Sequence, residues 1–405
     1  MTTKKENNTF LLKYHLIEIF SSMYFINSFI IIIVDESVRD PFKISILLII
    51  FSIVKIIFEI PSGAFADRFG RKNTLILASF CGISALIFFL LRRNYTDFII
   101  SYFLLGLCHT LRSGAFEAFI YDNMKKLNIE KDYAKYESRQ HIISEITYSL
   151  SALFASYLIL FGYNIVIIAT IISSFILSLL VVLSIKDSHW HDKNISKLHN
   201  DYWKILKKGF IYSFKHKIIL KFIMFLVLVN SFRYILDNYY ALILLHITNN
   251  LSMVPILTAI GCGLSGFSSF IITKYVQNKK VTFIIGIGIF SIFLILVGLS
   301  IYSFPISYIL IILFWSSLNI FTIVMGAKKQ IFIPSKIRAT VNSVEGFLFG
   351  IISVAYLLSF GKIVEIYSYK TGFIVFSGIT LLVTIIFFFI LGFDKRLRRR
   401  EARLF

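Results

Sequence analysis

The sequence predicts an all-α membrane protein with twelve transmembrane helices in two pseudo-symmetric six-helix bundles. The first observation is composition: 57% of the 405 residues are hydrophobic and only 16% are charged. Mean hydropathy is +0.79, above what a water-soluble domain tolerates. The second observation is pattern. Apolar runs recur along the chain, each able as a helix to cross a hydrocarbon core about 30 Å thick, with short polar segments between them. The third is charge placement. Of 42 Lys and Arg residues, six (Arg39, Lys43, Arg92, Arg93, Lys362, Lys370) fall in loops on one side, and three (Lys55, Arg112, Arg233) lie within spans. Nearly all the others fall on the opposite side. Such asymmetry puts both termini in the cytoplasm of a multi-pass protein of the inner (plasma) membrane. It also accounts for the net charge of +20 without a nucleic-acid partner.

Twelve spans are expected at about 11–34, 43–66, 73–91, 97–121, 138–161, 164–185, 218–246, 253–276, 281–302, 305–327, 339–361 and 371–393. They divide the chain into a first bundle (1–185), a cytoplasmic linker (186–217), a second bundle (218–393) and a basic tail (394–405), which suits a duplicated transporter. The opening MTTKKENNTF is too polar, and the apolar run behind it too long, for a cleaved signal peptide. Cys81, Cys108 and Cys262 are isolated in apolar segments and give neither a disulfide framework nor metal-ligand spacing.

Span 1 carries Glu18, then Tyr24 and Asn27 deeper in. Span 2 holds Lys55 and Glu59 on one helical face, about 18 Å and 12 Å from a boundary at Asp67. Charges at that depth either neutralise each other or face water, and Glu59 is also a candidate proton-titrating group. In span 4, Gly106, Thr110, Ser113 or Gly114, and Glu117 make a small-residue packing face. Arg112 lies about 15 Å into the membrane, where it must meet an acid, a carbonyl, a hydrated cavity or an anionic ligand. Span 5 opens with Arg139, His141 and Glu145 and then lacks glycine and proline until Gly162.

In the linker, Trp203, Leu206, Phe210 and Phe214 share a face, as in an amphipathic helix lying on inner-leaflet lipid. His189, His191, Asp192 and His199 match no metal-site spacing. Span 7 has Arg233 and Asp237 at i, i+4 among Tyr234, Tyr239 and Tyr240. Gly261-Cys-Gly263-Leu-Ser-Gly266 in span 8 formally fits a dinucleotide fingerprint. No strand precedes it, and helix packing explains it. Trp315 and Asn319 in span 10 offer an aromatic wall and a polar handle. Span 11 has a close-packing pair, Gly346 and Gly350, and Glu345 about 10 Å along the helix from Arg338.

The most specific stretch is Glu59-Ile-Pro-Ser-Gly-Ala-Phe-Ala-Asp-Arg-Phe-Gly-Arg-Lys72. Gly63 and Gly70 permit close packing and a sharp reversal, and Asp67, Arg68, Arg71 and Lys72 mark the return to water. From Gly63 onward it fits Gly-x-x-x-Asp-Arg-x-Gly-Arg-Lys and resembles the signature loop between spans 2 and 3 of the major facilitator superfamily of secondary transporters. Residues 333–343, with Pro334 and Arg338, resemble the same family at the start of span 11.

That resemblance implies gating latches, Arg71 with Asp122 and Asp67 against the positive helix end near Arg338. It also implies a cavity lined by spans 1, 4, 7 and 10, making Tyr24, Asn27, Arg112, Arg233, Asp237, Trp315 and Asn319 cavity candidates. The run Glu59-Ile-Pro-Ser-Gly resembles bacterial exporter-type members, whereas the glycine-rich antiporter signature of span 5 is absent, which weakens drug efflux. No Walker loop, nucleophile triad or metal cluster supports an enzyme, a cofactor or ATP drive. The expectation is a monomeric, proton-coupled exporter of a small amphipathic molecule, with Glu59, Glu117 and Asp237 as proton-coupling candidates. Nutrient uptake, and a non-transporting sensor or assembly protein on the same scaffold, are the alternatives.

Overall fold

The computed structural model describes residues 4–126, 129, 133–184, 209–276, 279–334 and 337–392. The described residues form helices and no strand. Spans 2 to 6 are the helices Pro41–Phe69, Arg71–Leu91, Tyr95–Lys126, Tyr133–Leu158 (continued as a short 3-10 turn, Ile159–Phe161) and Tyr163–Ser184. Spans 7 to 12 are Lys217–Thr248, Met253–Val276, Val281–Ile301, Ile306–Ile331, Arg338–Ile366 and Tyr369–Gly392. Among the described residues ten stretches are long and apolar enough to cross a membrane, and Met253–Leu264 in span 8 is a shorter apolar one. Span 4, with 32 residues, reaches about 48 Å at 1.5 Å per residue.

Span 1 departs from the expected single helix. Lys4–Ser22 gives way to a 3-10 turn, Phe25–Ser28, and a second helix, Ile30–Val38. Neither glycine nor proline causes the break. Instead, neighbours in the same unit take up the freed backbone groups, with the Ser173 hydroxyl donating to the Phe20 carbonyl at 3.2 Å. The Ile26 amide donates to Thr170 Oγ1 at 3.1 Å. Without such partners, exposed backbone polar groups would be costly inside a bilayer.

The chain separates into two compact units. The first comprises Met1–Arg39, Leu47–His199 and Leu251–Ile260, and the second Asp40–Ile46, Asn200–Asn250 and Gly261–Phe405. In the first, span 1 packs on spans 5 and 6, and span 3 on spans 4 and 6. In the second, span 7 packs on spans 11 and 12, and span 9 on spans 10 and 12. The second pattern is the first shifted by six spans, so each unit repeats one packing scheme.

The first unit's core gathers Tyr14, Ile17, Ala66, Leu75, Ala115, Phe119 and Met124. The second is built on aromatics: Phe225 stacks on Phe387 at 4.8 Å, and Tyr239 packs against Phe360 at 5.0 Å. Of the expected amphipathic linker helix, 209–215 is helical, and Trp203 and Leu206 lie outside the described residues. Gly209 sits against Thr340 and Val344, and Phe210 meets Phe347 edge-on at 5.8 Å. This end therefore turns partly onto span 11, while Phe214 stays exposed.

Candidate functional site

The break in span 1 places two of the expected cavity residues. Tyr24 lies between the helix Lys4–Ser22 and the 3-10 turn, and Asn27 is inside that turn. Asn27 Nδ2 donates to Tyr148 Oη at 2.6 Å, while its side chain stays exposed. The Tyr24 hydroxyl is buried with no hydrogen-bond partner. A non-helical turn at membrane depth is tolerated where protein or a wet cavity surrounds it.

Spans 2 and 4 approach closely at Gly106. A Cβ there would lie 2.8 Å from Val54 and 3.2 Å from the Phe51 carbonyl oxygen. This contact brings Lys55, the residue after Val54, beside span 4. The Lys55 ammonium lies over the Phe51 ring at 5.3 Å, and the same ring meets His109 edge-on at 6.0 Å. One turn on, the Arg112 guanidinium lies over Phe116 at 6.0 Å. Among the described residues no ion pair joins Lys55 to Glu59, contrary to one reading of their spacing. A charge near the bilayer centre costs about 3 kcal/mol even on an insertion scale, and among the described residues neither cation has an ion pair to offset it.

The second unit treats its charges differently. Arg233 Nε and Asp237 Oδ2 are 3.5 Å apart, one helical turn from each other. The Arg233 guanidinium lies over Trp315 at 5.5 Å, and the Tyr240 ring stands perpendicular to Trp315 at 6.1 Å. Gly261 makes room for this group, since a Cβ there would come 3.0 Å from the Tyr240 hydroxyl. Asn319, one turn from Trp315, is half-buried. Asp237 is the only exposed residue between Ile218 and Leu245. Its carboxylate is thus the one exposed side chain in the middle of a helix whose other residues from Ile218 to Leu245 are buried or half-buried.

Of the expected gating residues, Gly70 has φ +87° and alone separates span 2 from span 3, so the sharp reversal is present. Close packing at Gly63 is not: no described atom lies within 4 Å of where its Cβ would sit. Gly346 is equally open. Arg68 is exposed and lies over Phe69 at 5.2 Å. Arg71 is half-buried, and Arg338 begins the helix of span 11 as expected. The side chains of Asp67, Glu117 and Asp122 lie outside the described residues, and so do His189, His191, Asp192 and His199.

Sequence reading missed a buried pair. Lys329 of span 10, only 5% exposed, is bonded to Glu345 of span 11. Glu345 thereby finds its partner across the hairpin, away from Arg338. Beside it Gln330 Nε2 donates to Asn342 Oδ1 at 2.9 Å. The signal was an unbroken helical pattern past residue 327, which carries Lys328 and Lys329 inward. Among the described residues no cluster of three His, Cys, Asp or Glu side chains could hold a metal ion.

Two helical units with one repeated packing scheme and ionisable groups set inside the spans define a polytopic membrane transporter. The sequence profile of the Major Facilitator Superfamily matches residues 16–331, and the chain belongs to that family. No curated protein sequence is close enough to match it. Solved structures share the fold at low identity. The nucleoside transporter NupG has a TM-score of 0.72 at 14% identity, covering 93% of this chain and 98% of that chain. A POT family transporter in complex with 5-aminolevulinic acid has a TM-score of 0.68 at 14% identity, covering 97% and 96%. A D-xylose-proton symporter has a TM-score of 0.68 at 12% identity, covering 93% and 97%.

Proposed function

We propose that this chain is a secondary transporter that moves a small amphipathic solute by alternating access, using the proton gradient. The observation that carries the reading is the Arg233–Asp237 pair beside Trp315 and Tyr240, with Asp237 exposed in the middle of a mostly buried helix. Aromatic walls would hold the apolar body of the solute, and the pair would orient its polar end. Protonation of Asp237 would free Arg233 from its partner, so proton binding and solute binding at Arg233 would be coupled through one contact. Glu59 and Glu117 are further proton-coupling candidates. Asp67, Arg71, Asp122 and Arg338, flanked by Gly63, Arg68 and Gly70, would serve as inner-side gating residues.

On this reading a monomer sits in the inner membrane with both termini in the cytoplasm. Bundles at 1–185 and 218–393 would move about the linker 186–217, with the basic tail 394–405 on lipid. Resemblance of Glu59-Ile-Pro-Ser-Gly to exporter-type members favours export. Uptake is the second reading, favoured by the similarity in fold to a protein named as a symporter. Purified protein in liposomes of known orientation, given a pH gradient and a panel of amphipathic solutes, tests both. Solute flux should follow the gradient, and its sign distinguishes export from uptake. Flux indifferent to the gradient would remove proton coupling.

A further inference from the structure

We propose that Lys55 and Arg112, with the rings of Phe51 and Phe116, form a subsite in the first unit for the anionic head, carboxylate or phosphate, of an amphipathic solute. The geometry starts at Gly106, whose missing side chain lets span 4 touch Val54 and the Phe51 carbonyl. Phe51 then serves both spans, under the Lys55 ammonium and against His109. Arg112 follows His109 by three residues, about one turn of span 4. Among the described residues neither Lys55 nor Arg112 has an ion pair.

Lys55 is half-buried on span 2. At 100° per residue it lies roughly opposite the exposed Ile53 and Ile57. The buried Tyr24 hydroxyl, at the break in span 1 of the same unit, also lacks a hydrogen-bond partner among the described residues. Two cations with no ion pair among the described residues, each beside a ring face, fit an anion carrying an apolar body. A guanidinium presents a planar fork to either head group, and the ammonium adds a point charge. A cationic solute would meet like charge.

The proposal rests on the transporter reading only for its solute, since binding can be measured without flux. The full chain in detergent micelles is melted with benzoate, phenyl phosphate, benzyl alcohol and benzylamine, which share a ring and differ in head group. Benzoate or phenyl phosphate should raise the melting temperature with concentration, and benzyl alcohol and benzylamine should not. Arg112→Gln and Lys55→Gln should each weaken the response about tenfold or more, and Arg112→Lys should restore part of it. Gel filtration and the unliganded melting temperature report folding separately, and Lys43→Gln, on the exposed end of span 2, should respond as the wild type does.

Equal stabilisation by all four probes, no stabilisation by any, or an unaltered response in Arg112→Gln would overturn the subsite. So would Arg112-dependent stabilisation by phosphatidylglycerol but not by benzoate, which would make it a lipid site. Anion binding without flux of any solute would leave the subsite standing and remove the transporter reading. Flux of an anionic amphipathic solute untouched by Arg112→Gln would do the reverse.

Discussion

The two units repeat one packing scheme but handle charge in opposite ways. In the second, Arg233 faces Asp237 and Lys329 holds Glu345, two cations each with an acid. In the first, Lys55 and Arg112 lie over phenyl rings, with no ion pair among the described residues. A ring face offers a cation only part of what a carboxylate does, so the first unit has more to gain from an incoming anion. Two units with one packing scheme can thus differ in how they satisfy the charges set inside their spans.

The contrast can be broken by substitution. The largest loss of stability is expected for Lys329→Ala, which strands the mostly buried Glu345 carboxylate at a cost of about 3–5 kcal/mol. Replacing both partners by Met and Leu should recover most of it, read as the shift in a detergent unfolding curve. Next comes Gly106→Val, which forces Val54 and the Phe51 carbonyl away from span 4. Overpacking of this kind costs about 1–3 kcal/mol, and transport should fall further than stability does. Thr170→Val removes the acceptor for the Ile26 amide and should cost about 1–2 kcal/mol, with faster hydrogen exchange at residues 24–28. Asp237→Asn should change stability least, because its carboxylate is exposed, yet flux in liposomes should stop following an imposed pH gradient. A coupled Asp237→Asn protein would leave the pair without a role in coupling.

The spans were legible because hydrophobic length is a composition signal that needs no partner, and the Gly106 face and the Gly70 reversal followed from local chemistry. The break in span 1 was hidden. Its cause is not a glycine or proline but hydroxyls such as Thr170 and Ser173, far along the chain. The Lys329–Glu345 pair was hidden because span 10 runs a turn past its apolar pattern, to Ile331, and takes Lys329 out of the loop. Lys55 shows the limit of spacing rules. A helix offers it two neighbours, Phe51 and Glu59, each four residues away, and side chains lean toward the N-terminal one. The ring took the contact that charge alone would give to Glu59.

The most direct measurement is solute flux into liposomes holding the purified chain, with an imposed pH gradient, for wild type, Arg112→Gln and Asp237→Asn. The expected result is gradient-driven flux in wild type, loss of flux in folded Arg112→Gln, and flux uncoupled from the gradient in Asp237→Asn. Equal, gradient-independent flux in all three, or no flux of any amphipathic solute in wild type, would contradict a proton-coupled transporter built on these groups.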